Sequence, residues 1–382
     1  TGDAVGDSYS GIENLTGSDF GDTLYGDGSA NVLDGGTGND TLIGGTGNDT
    51  LTGGSGSDTA SYATAGAAVI ASLANTGLNT GDAAGDSYSG IENLTGSDFG
   101  DTLYGDGGAN ALDGGTGNDT LIGGAGNDTL IGGIGTDTAS YATAGSAVIA
   151  SLGNSGLNTG DAAGDSYSAI ENLTGSSFAD ALHGDTGNNV LNGGAGDDTL
   201  LGGSGADTLI GGADSDTASY AGAGSAVALT LDGTGSGSGT LGDASGDSLS
   251  GIERVLGSAF SDDFTLTLGN GWSVDGGAGT DSVHFAANSG TIVESQLTGV
   301  LTNVEVLDFT SGATSANLTV SASFIQSLVG AGNASALTID IDSNDNFAIG
   351  AGSFVDVQGS DYLFYSDASM STQIAKMTVV NH

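Results

Sequence analysis

The sequence predicts an all-β fold, a solenoid of short parallel strands wound in nine-residue steps. Three observations predict it. Residues 35–52 read GGTGNDTLI and then GGTGNDTLT, one nine-residue phrase spoken twice. Around that phrase Leu15, Leu24, Leu33, Leu42 and Leu51 keep the same nine-residue register. The composition, 74 Gly and no Pro in 382 residues, suits many tight turns joined by a ladder that proline would interrupt.

Each nonapeptide divides into a six-residue turn and a three-residue strand. Glycine in the turn admits positive φ and leaves the carbonyls unhindered. In Thr41-Leu42-Ile43 the side chains alternate faces, so one points inward and its neighbours outward. Two such units make an 18-residue coil with a strand on each of two opposite walls, and successive coils stack as parallel strands ~4.8 Å apart. Equivalent turns then align: Asp22, Asp40 and Asp58 on one edge, Asn31 and Asp49 on the other. A flexible linker would have no reason to hold the leucine register.

A stacked carboxylate row requires a cation. Two carboxylates ~4.8 Å apart repel by about 1 kcal/mol in water and about 3–4 kcal/mol at an effective dielectric of ~20. A hard dication collecting carboxylate and backbone oxygens converts that repulsion into cohesion. The register carries through three blocks. Glu13 is followed at intervals of nine by Asp22, Asn31, Asp40, Asp49 and Asp58. Glu92 leads Asp101, Asn110, Asp119, Asp128 and Asp137 in the second block, and Glu171 leads Asp180, Asn189, Asp198, Asp207 and Asp216 in the third. A lone further nonapeptide, GGAGTDSVH at 276–284, adds Asp281. Pairs with Asp at both ends, such as Asp22/Asp40 and Asp40/Asp58, make the strongest candidate metal sites; Asn31/Asp49 is poorer in charge. Glu13 and its copies are open between ligand and solvated face.

At these nonapeptides the chain resembles the RTX (repeats-in-toxin) calcium-binding β-roll family. The resemblance implies a calcium-stabilised parallel β-roll, with Ca²⁺ ions held between adjacent turns by the Asp or Asn at each sixth place and by carbonyls of the glycine region.

The blocks recur nearly verbatim. Asp3, Asp82 and Asp161 lie 79 residues apart, and Asp243 follows 82 residues later. The expected divisions are 1–79, 80–158, 159–255 (a third block and the start of a fourth) and a β-rich cap at 256–382. Between rolls, the longer apolar stretch around AVIASL at 68–73 suggests a hairpin or a widened coil. The G-D-x-x-G-D junctions, with Asp82 and Asp86, Asp3 and Asp7, and Asp161 and Asp165, are open between a calcium site and a turn. Beyond Leu256 the chain reads as strands at 303–310, 316–321, 336–342, 354–359, 361–367 and 374–380, with a short helix at SFIQSLVG capped by Ser323 and ended by Gly330. This tail holds eight of the 11 Phe. It is similar to the C-terminal region of type I-secreted RTX adhesins and surface-layer proteins, which implies a secretion signal there and the type I machinery as a partner.

Composition excludes several function classes. With 2 Lys+Arg against 47 Asp+Glu the net charge is −45, which argues against nucleic acid and anionic membranes. No apolar run approaches the ~20 residues of a membrane span. Zero Cys removes disulfides and thiol chemistry. No basic, apolar leader is present, and the chain opens on Thr1, which leaves room for residues upstream. His183, His284 and His382 are far apart and near no nucleophile or metal motif, and no G-x-S-x-G, H-E-x-x-H or P-loop occurs. DIDSND at 340–345 starts like an EF-hand loop but lacks Gly at the sixth place and has Ala351 at the twelfth, so it reads as a turn first and a calcium site second. Asn14-Leu15-Thr16 matches a glycosylation sequon, discounted because Leu15 is wanted in the core.

The expected function is non-enzymatic: a secreted calcium-binding structural protein of the bacterial cell surface (an adhesin stalk, surface-layer or filament component) that folds and self-associates outside the cell. The alternative is the calcium-folding and secretion module of a larger exoenzyme or toxin. A soluble calcium buffer is a third reading.

Overall fold

The computed structural model describes residues 9–232, 234–267, 272–286, 291–292, 294–309, 315–320, 322–329, 336–341, 346–349, 354–358, 361–365 and 373–381. The chain forms two compact units, Thr1–Ser176 and Ser177–His382.

In the first unit the nonapeptide strands stack in parallel, residue on equivalent residue. Leu24 pairs with Leu42 and Leu33 with Leu51, so each inward leucine sits over the one a coil earlier. Leu33, Leu42, Leu51, Leu103, Leu112, Leu121 and Leu130 are fully buried. The flanking threonines, Thr41 and Thr50 among them, face outward or lie half-buried, as the alternation requires. Two walls carry strands longer than the expected three residues, Ala111–Thr116 and Thr129–Ile134 on one of them. Val32–Thr37 and Thr50–Ser55 run on through the Gly-Gly pair, with Gly36 opposite Gly54. Gly54 has φ +106, and a Cβ there would strike the Gly36 carbonyl, so no side chain fits.

Three parallel ladders run within the described residues of the unit. The first comprises Asn14–Thr16, Val32–Thr37, Thr50–Ser55 and Ser87–Ser89. The second runs Thr23–Tyr25, Thr41–Ile43, Thr59–Ser61, Asn93–Thr95, Ala111–Thr116, Thr129–Ile134 and Ser166–Ser168. The third starts at Ile70–Ser72 and continues through Thr102–Tyr104, Thr120–Ile122, Thr138–Ser140 and Asn172–Thr174. The segment between rolls is thus a widened coil that contributes an extra parallel strand, Ile70–Ser72, and folds back by a single antiparallel bridge from Ile70 to Thr80. Its extra strand shifts the winding by half a coil. Asn93–Thr95, the copy of Asn14–Thr16, therefore stacks on Thr59–Ser61 rather than on the wall its counterpart occupies.

The second unit repeats this logic. One ladder runs Ala181–His183, Thr199–Leu201, Thr217–Ser219, Arg254–Leu256, Ser273–Asp275 and Leu301–Thr302. Another joins Val190–Ala195, Thr208–Ala213 and Ser248–Ser250. The composition shift near 256 changes the core residues and not the winding. Ala228–Leu231, Asp263–Leu266, Ser282–Phe285, Val306–Asp308, Ala336–Ile341 and Gln373–Asn381 form one parallel ladder. Here buried Phe264, Val283, Leu307 and Ile339 replace the leucine column, and Phe285 stacks on Phe309 at 4.8 Å between ring centroids. Among the described residues of this unit, antiparallel strands pair at Ser236–Leu241, against Ala228–Leu231 and Ser248–Ser250, and in the closing run Phe354–Gln358, Asp361–Tyr365 and Gln373–Asn381. The helix covers Ala322–Val329, which puts Ser323 inside its first turn rather than at its cap, and buries Phe324, Ile325 and Leu328. Gly330, Asp3, Asp7, His382 and most of the 340–345 turn lie outside the described residues.

Candidate metal centre

The turn aspartates form two hydrogen-bonded columns. The main-chain N–H of each residue donates to the inner oxygen of the residue one coil on. Asp22 N–H reaches Asp40 Oδ1 at 2.8 Å and Asp40 N–H reaches Asp58 Oδ1 at 2.7 Å. On the other edge Asn31 N–H reaches Asp49 Oδ1 at 2.8 Å. The second block repeats this through Asp101, Asp119 and Asp137 and through Asn110 and Asp128; the third does so through Asp180, Asp198 and Asp216 and through Asn189 and Asp207. Asp281 stands in the same relation to Asp262. The stacking places each of these side chains except the half-buried Asp22 in a main-chain niche, at most a few percent exposed.

The outer oxygen divides the candidates. In Asp40, Asp49, Asp58, Asp119, Asp128, Asp137, Asp198, Asp207, Asp216 and Asp281, Oδ2 is buried and has no hydrogen-bond partner. An unsatisfied buried polar atom costs about 1–3 kcal/mol, more when charged. Ten such atoms, each at the sixth place of its nonapeptide, are suited to bind a cation. Beside Asp40 the niche is lined by oxygen: a Cβ on Gly35 would collide with Asp40 Oδ2 and lie 2.7 Å from the Gly53 carbonyl oxygen of the next coil. Asp119 with Gly132 and Asp198 with Gly211 repeat that convergence. Among the described residues no three His, Asp or Glu side chains gather on one point. The donor set is therefore one carboxylate plus carbonyls, all hard oxygens, which fits Ca²⁺. Bound there, the ion would supply charge neutralisation and tie one coil to the next.

Asp22, Asp101 and Asp262 differ. A serine four residues earlier donates its N–H to their Oδ2, at 2.5 Å in each case, so that oxygen already has a proton donor. That bond holds the Asp22 carboxyl below its usual range. The asparagines close their turns likewise: Asn31, Asn110 and Asn189 Oδ1 accept the N–H of Asp27, Asp106 and Asp185. The G-S-x-F and G-D-G/T turns thus satisfy internally what the G-G-x-G turns leave open.

Without a cation several of the buried aspartates resist ionisation. Burial, opposed by the Asp101 N–H and helped by the charges of Asp137 and Asp101, pushes Asp119 up to about 6. Burial likewise lifts Asp207 to about 6, and Asp198 and Asp281 to about 7. Asp49, Asp128, Asp137 and Asp216 shift in the same direction for the same first cause.

The junction acids, left open by the sequence, resolve into tyrosine clamps. Asp86 Oδ1 accepts the Asp49 N–H at 2.9 Å, and its Oδ2 accepts the Tyr62 hydroxyl at 2.9 Å. Tyr62 and Tyr88 hydroxyls are 2.5 Å apart, and Asn79 donates to Tyr88. Asp165, Tyr141, Tyr167 and Asn158 rebuild the cluster. In the third copy Tyr220 bonds Asp247 and Leu249 stands in the place of the second tyrosine. Burial drives the Tyr62 and Tyr141 hydroxyls far above their ordinary range, so they stay proton donors. Asp82 and Asp161 instead sit half-buried in single-turn helices, Gly81–Ala83 and Gly160–Ala162, each of which buries its alanine.

The glutamates are also placed. Glu92, Glu171, Glu253 and Glu305 accept the N–H of Asp58, Asp137, Asp216 and Asp281, whereas Glu13 is exposed. Sequence reasoning passed over Asp262; the spacing of Ser258 to Asp262, shared by Ser18/Asp22 and Ser97/Asp101, was the available signal. His183 is half-buried, which lowers its pKa, and His284 bridges Asp263 and Asp308 at 3.0 and 2.7 Å.

A family model described as the RTX calcium-binding nonapeptide repeat (4 copies) matches residues 7–42, 25–60, 86–121, 104–139, 174–209 and 183–218. No curated protein matches the chain. The matched segments are those that hold the glycine-lined niches within the three blocks.

Proposed function

The chain belongs to the RTX calcium-binding repeat family, and from that premise we propose that it is a secreted structural protein of the bacterial cell surface, an adhesin stalk, surface-layer or filament component, that folds and assembles on calcium outside the cell. The observation that carries this reading is repetition of one site without a unique one. Asp40, Asp119 and Asp198 occupy the same niche in three blocks, and such duplication lengthens a rod while creating no individual pocket. We read the role as non-enzymatic, supported by turn acids that lie stacked in a column and bonded to main chain. Ligands of this kind in extracellular modules bind at roughly 10⁻⁴–10⁻³ M. Such a chain passes through the type I secretion machinery unfolded and closes outside. No helix among the described residues is long and apolar enough to cross a membrane.

Electron microscopy and light scattering on the purified chain, with and without millimolar calcium, test the assembly claim. Sheets or fibres that dissolve on chelation are the expected result. Separate calcium-loaded particles would instead favour the folding and secretion module of a larger exoenzyme.

A further inference from the structure

The last aspartate of every roll faces a partner that is not a glycine-rich turn. Asp58 Oδ2 is buried and unpartnered, and a Cβ on Gly53 would lie 2.7 Å from it while colliding with the carbonyl oxygen of Gly90. Gly132 relates in the same way to Asp137 and Ala169, Gly211 to Asp216 and Gly251, and Gly276 to Asp281 and Asn303. The carbonyl always comes from a left-handed residue two places before a glutamate: φ is +58 at Gly90, +50 at Ala169, +62 at Gly251 and +50 at Asn303. For Ala and Asn that conformation is strained, and strain of this kind is kept where the surroundings need it. Reciprocal bonds fix the geometry. The Asp58 N–H donates to Glu92 Oε2 at 2.9 Å and the Glu92 N–H returns to the Asp58 carbonyl at 3.1 Å. The pairs Asp137/Glu171, Asp216/Glu253 and Asp281/Glu305 do the same.

We propose that these four places are closing calcium sites, each built from the final Asp Oδ2 of a roll, the carbonyl of the left-handed residue in the following x-[IV]-E turn, and the charge of that turn's glutamate. The inference rests on the calcium reading above and extends it to turns that are not nonapeptides. The glutamate holds the position that an aspartate holds within a roll, bonding the same N–H and bringing a second negative charge. Two of the sites span the widened coils, Asp58 to Glu92 and Asp137 to Glu171, so calcium staples one roll to the next where the winding shifts by half a coil. The fourth, Asp281/Asn303/Glu305, lies beyond every family-matched segment and carries the calcium ladder into the phenylalanine-rich tail.

The test is a calcium-binding isotherm by equilibrium dialysis on the full chain and on E92Q/E171Q/E253Q/E305Q. Glutamine keeps an oxygen for the aspartate N–H and removes the charge. The expected result is four ions lost or weakened at least tenfold, the remaining sites unchanged. The single variants E171Q and E305Q each lose one, which keeps the test intact should the quadruple variant fold poorly. An unchanged count and affinity in the glutamine variants, beside a wild type that binds calcium, overturns the closing sites and leaves the calcium reading standing. A wild type that binds no calcium at millimolar concentration overturns both. D19N/D98N, at exposed turn positions, serves as the control and leaves the isotherm unchanged.

Discussion

The outer oxygen of each turn aspartate decides what the residue can do. Asp40 gives Oδ1 to the Asp22 N–H and turns Oδ2 into an oxygen-lined niche, whereas Asp22, one coil earlier, spends its Oδ2 on Ser18. Asp40→Ala is expected to lose about 1.5–3 kcal/mol from the charged hydrogen bond alone, and the calcium midpoint to rise severalfold. Glu13→Ala, at an exposed side chain, leaves both unchanged, and calcium titrations of the two variants check this. Asp22→Ala should fall between them, since it removes a turn bond and no open oxygen. The nine-residue register placed all of these residues in their columns. It could not separate Asp22 from Asp40, because the distinction lies in the residue four places back. Serine there presents its N–H to the carboxylate, while Gly36 sits at φ +99. Tyr62 escaped the sequence for a similar reason: its partner Asp86 is 24 residues away across a segment with no period. Tyr62→Phe would leave Asp86 Oδ2 without its hydroxyl donor, at a cost of about 1–3 kcal/mol, readable in thermal melts at saturating calcium.

At the scale of the strand, stability comes from columns of one apolar residue per nonapeptide. Leu42 is fully buried between Leu24 and Ala60. Leu42→Ala is expected to destabilise by about 2–5 kcal/mol, measured by denaturant unfolding in calcium. Ala169 offers the opposite case. It is held at φ +50 where three other copies carry glycine, Gly11, Gly90 and Gly251, so Ala169→Gly relieves a left-handed alanine worth about 1–2 kcal/mol before the entropy of the added glycine is counted. A raised melting temperature with an unchanged binding isotherm is the expected readout. Strand identity and parallel pairing were legible from the period. The three ladders were not, because the half-coil shift depends on how many strands the widened coil contributes, and residues 62–86 carry no nonapeptide from which to count them. The continuous ladder past 256 was hidden for a related reason: Phe264 and Val283 fill the leucine column, so the composition changes while the winding does not.

For the whole molecule the controlling quantity is charge. The chain carries a net charge of −45, and burial makes several of its turn aspartates reluctant to ionise. In the ion-free protein Asp119 and Asp207 titrate at about 6 and Asp198 and Asp281 at about 7, above the ordinary 3.8. The folded state then binds more protons than the unfolded chain between about pH 4 and 7. Its ion-free stability is full below that window and lost as pH rises through 6 to 7. Calcium reverses the sign, because protons compete for the same oxygens, so affinity increases over the same range. Thermal melts at pH 5 and 7.5, each with chelator and with calcium, should show the two slopes crossing. The central claim is that calcium, replacing those protons, is what holds the columns together at neutral pH. Circular dichroism of the full chain at pH 7.5, titrated from chelator into calcium, tests it most directly. The account predicts a cooperative gain of β signal complete by roughly 10⁻³ M and lost again on chelation. The same β signal in chelator as in millimolar calcium would contradict it.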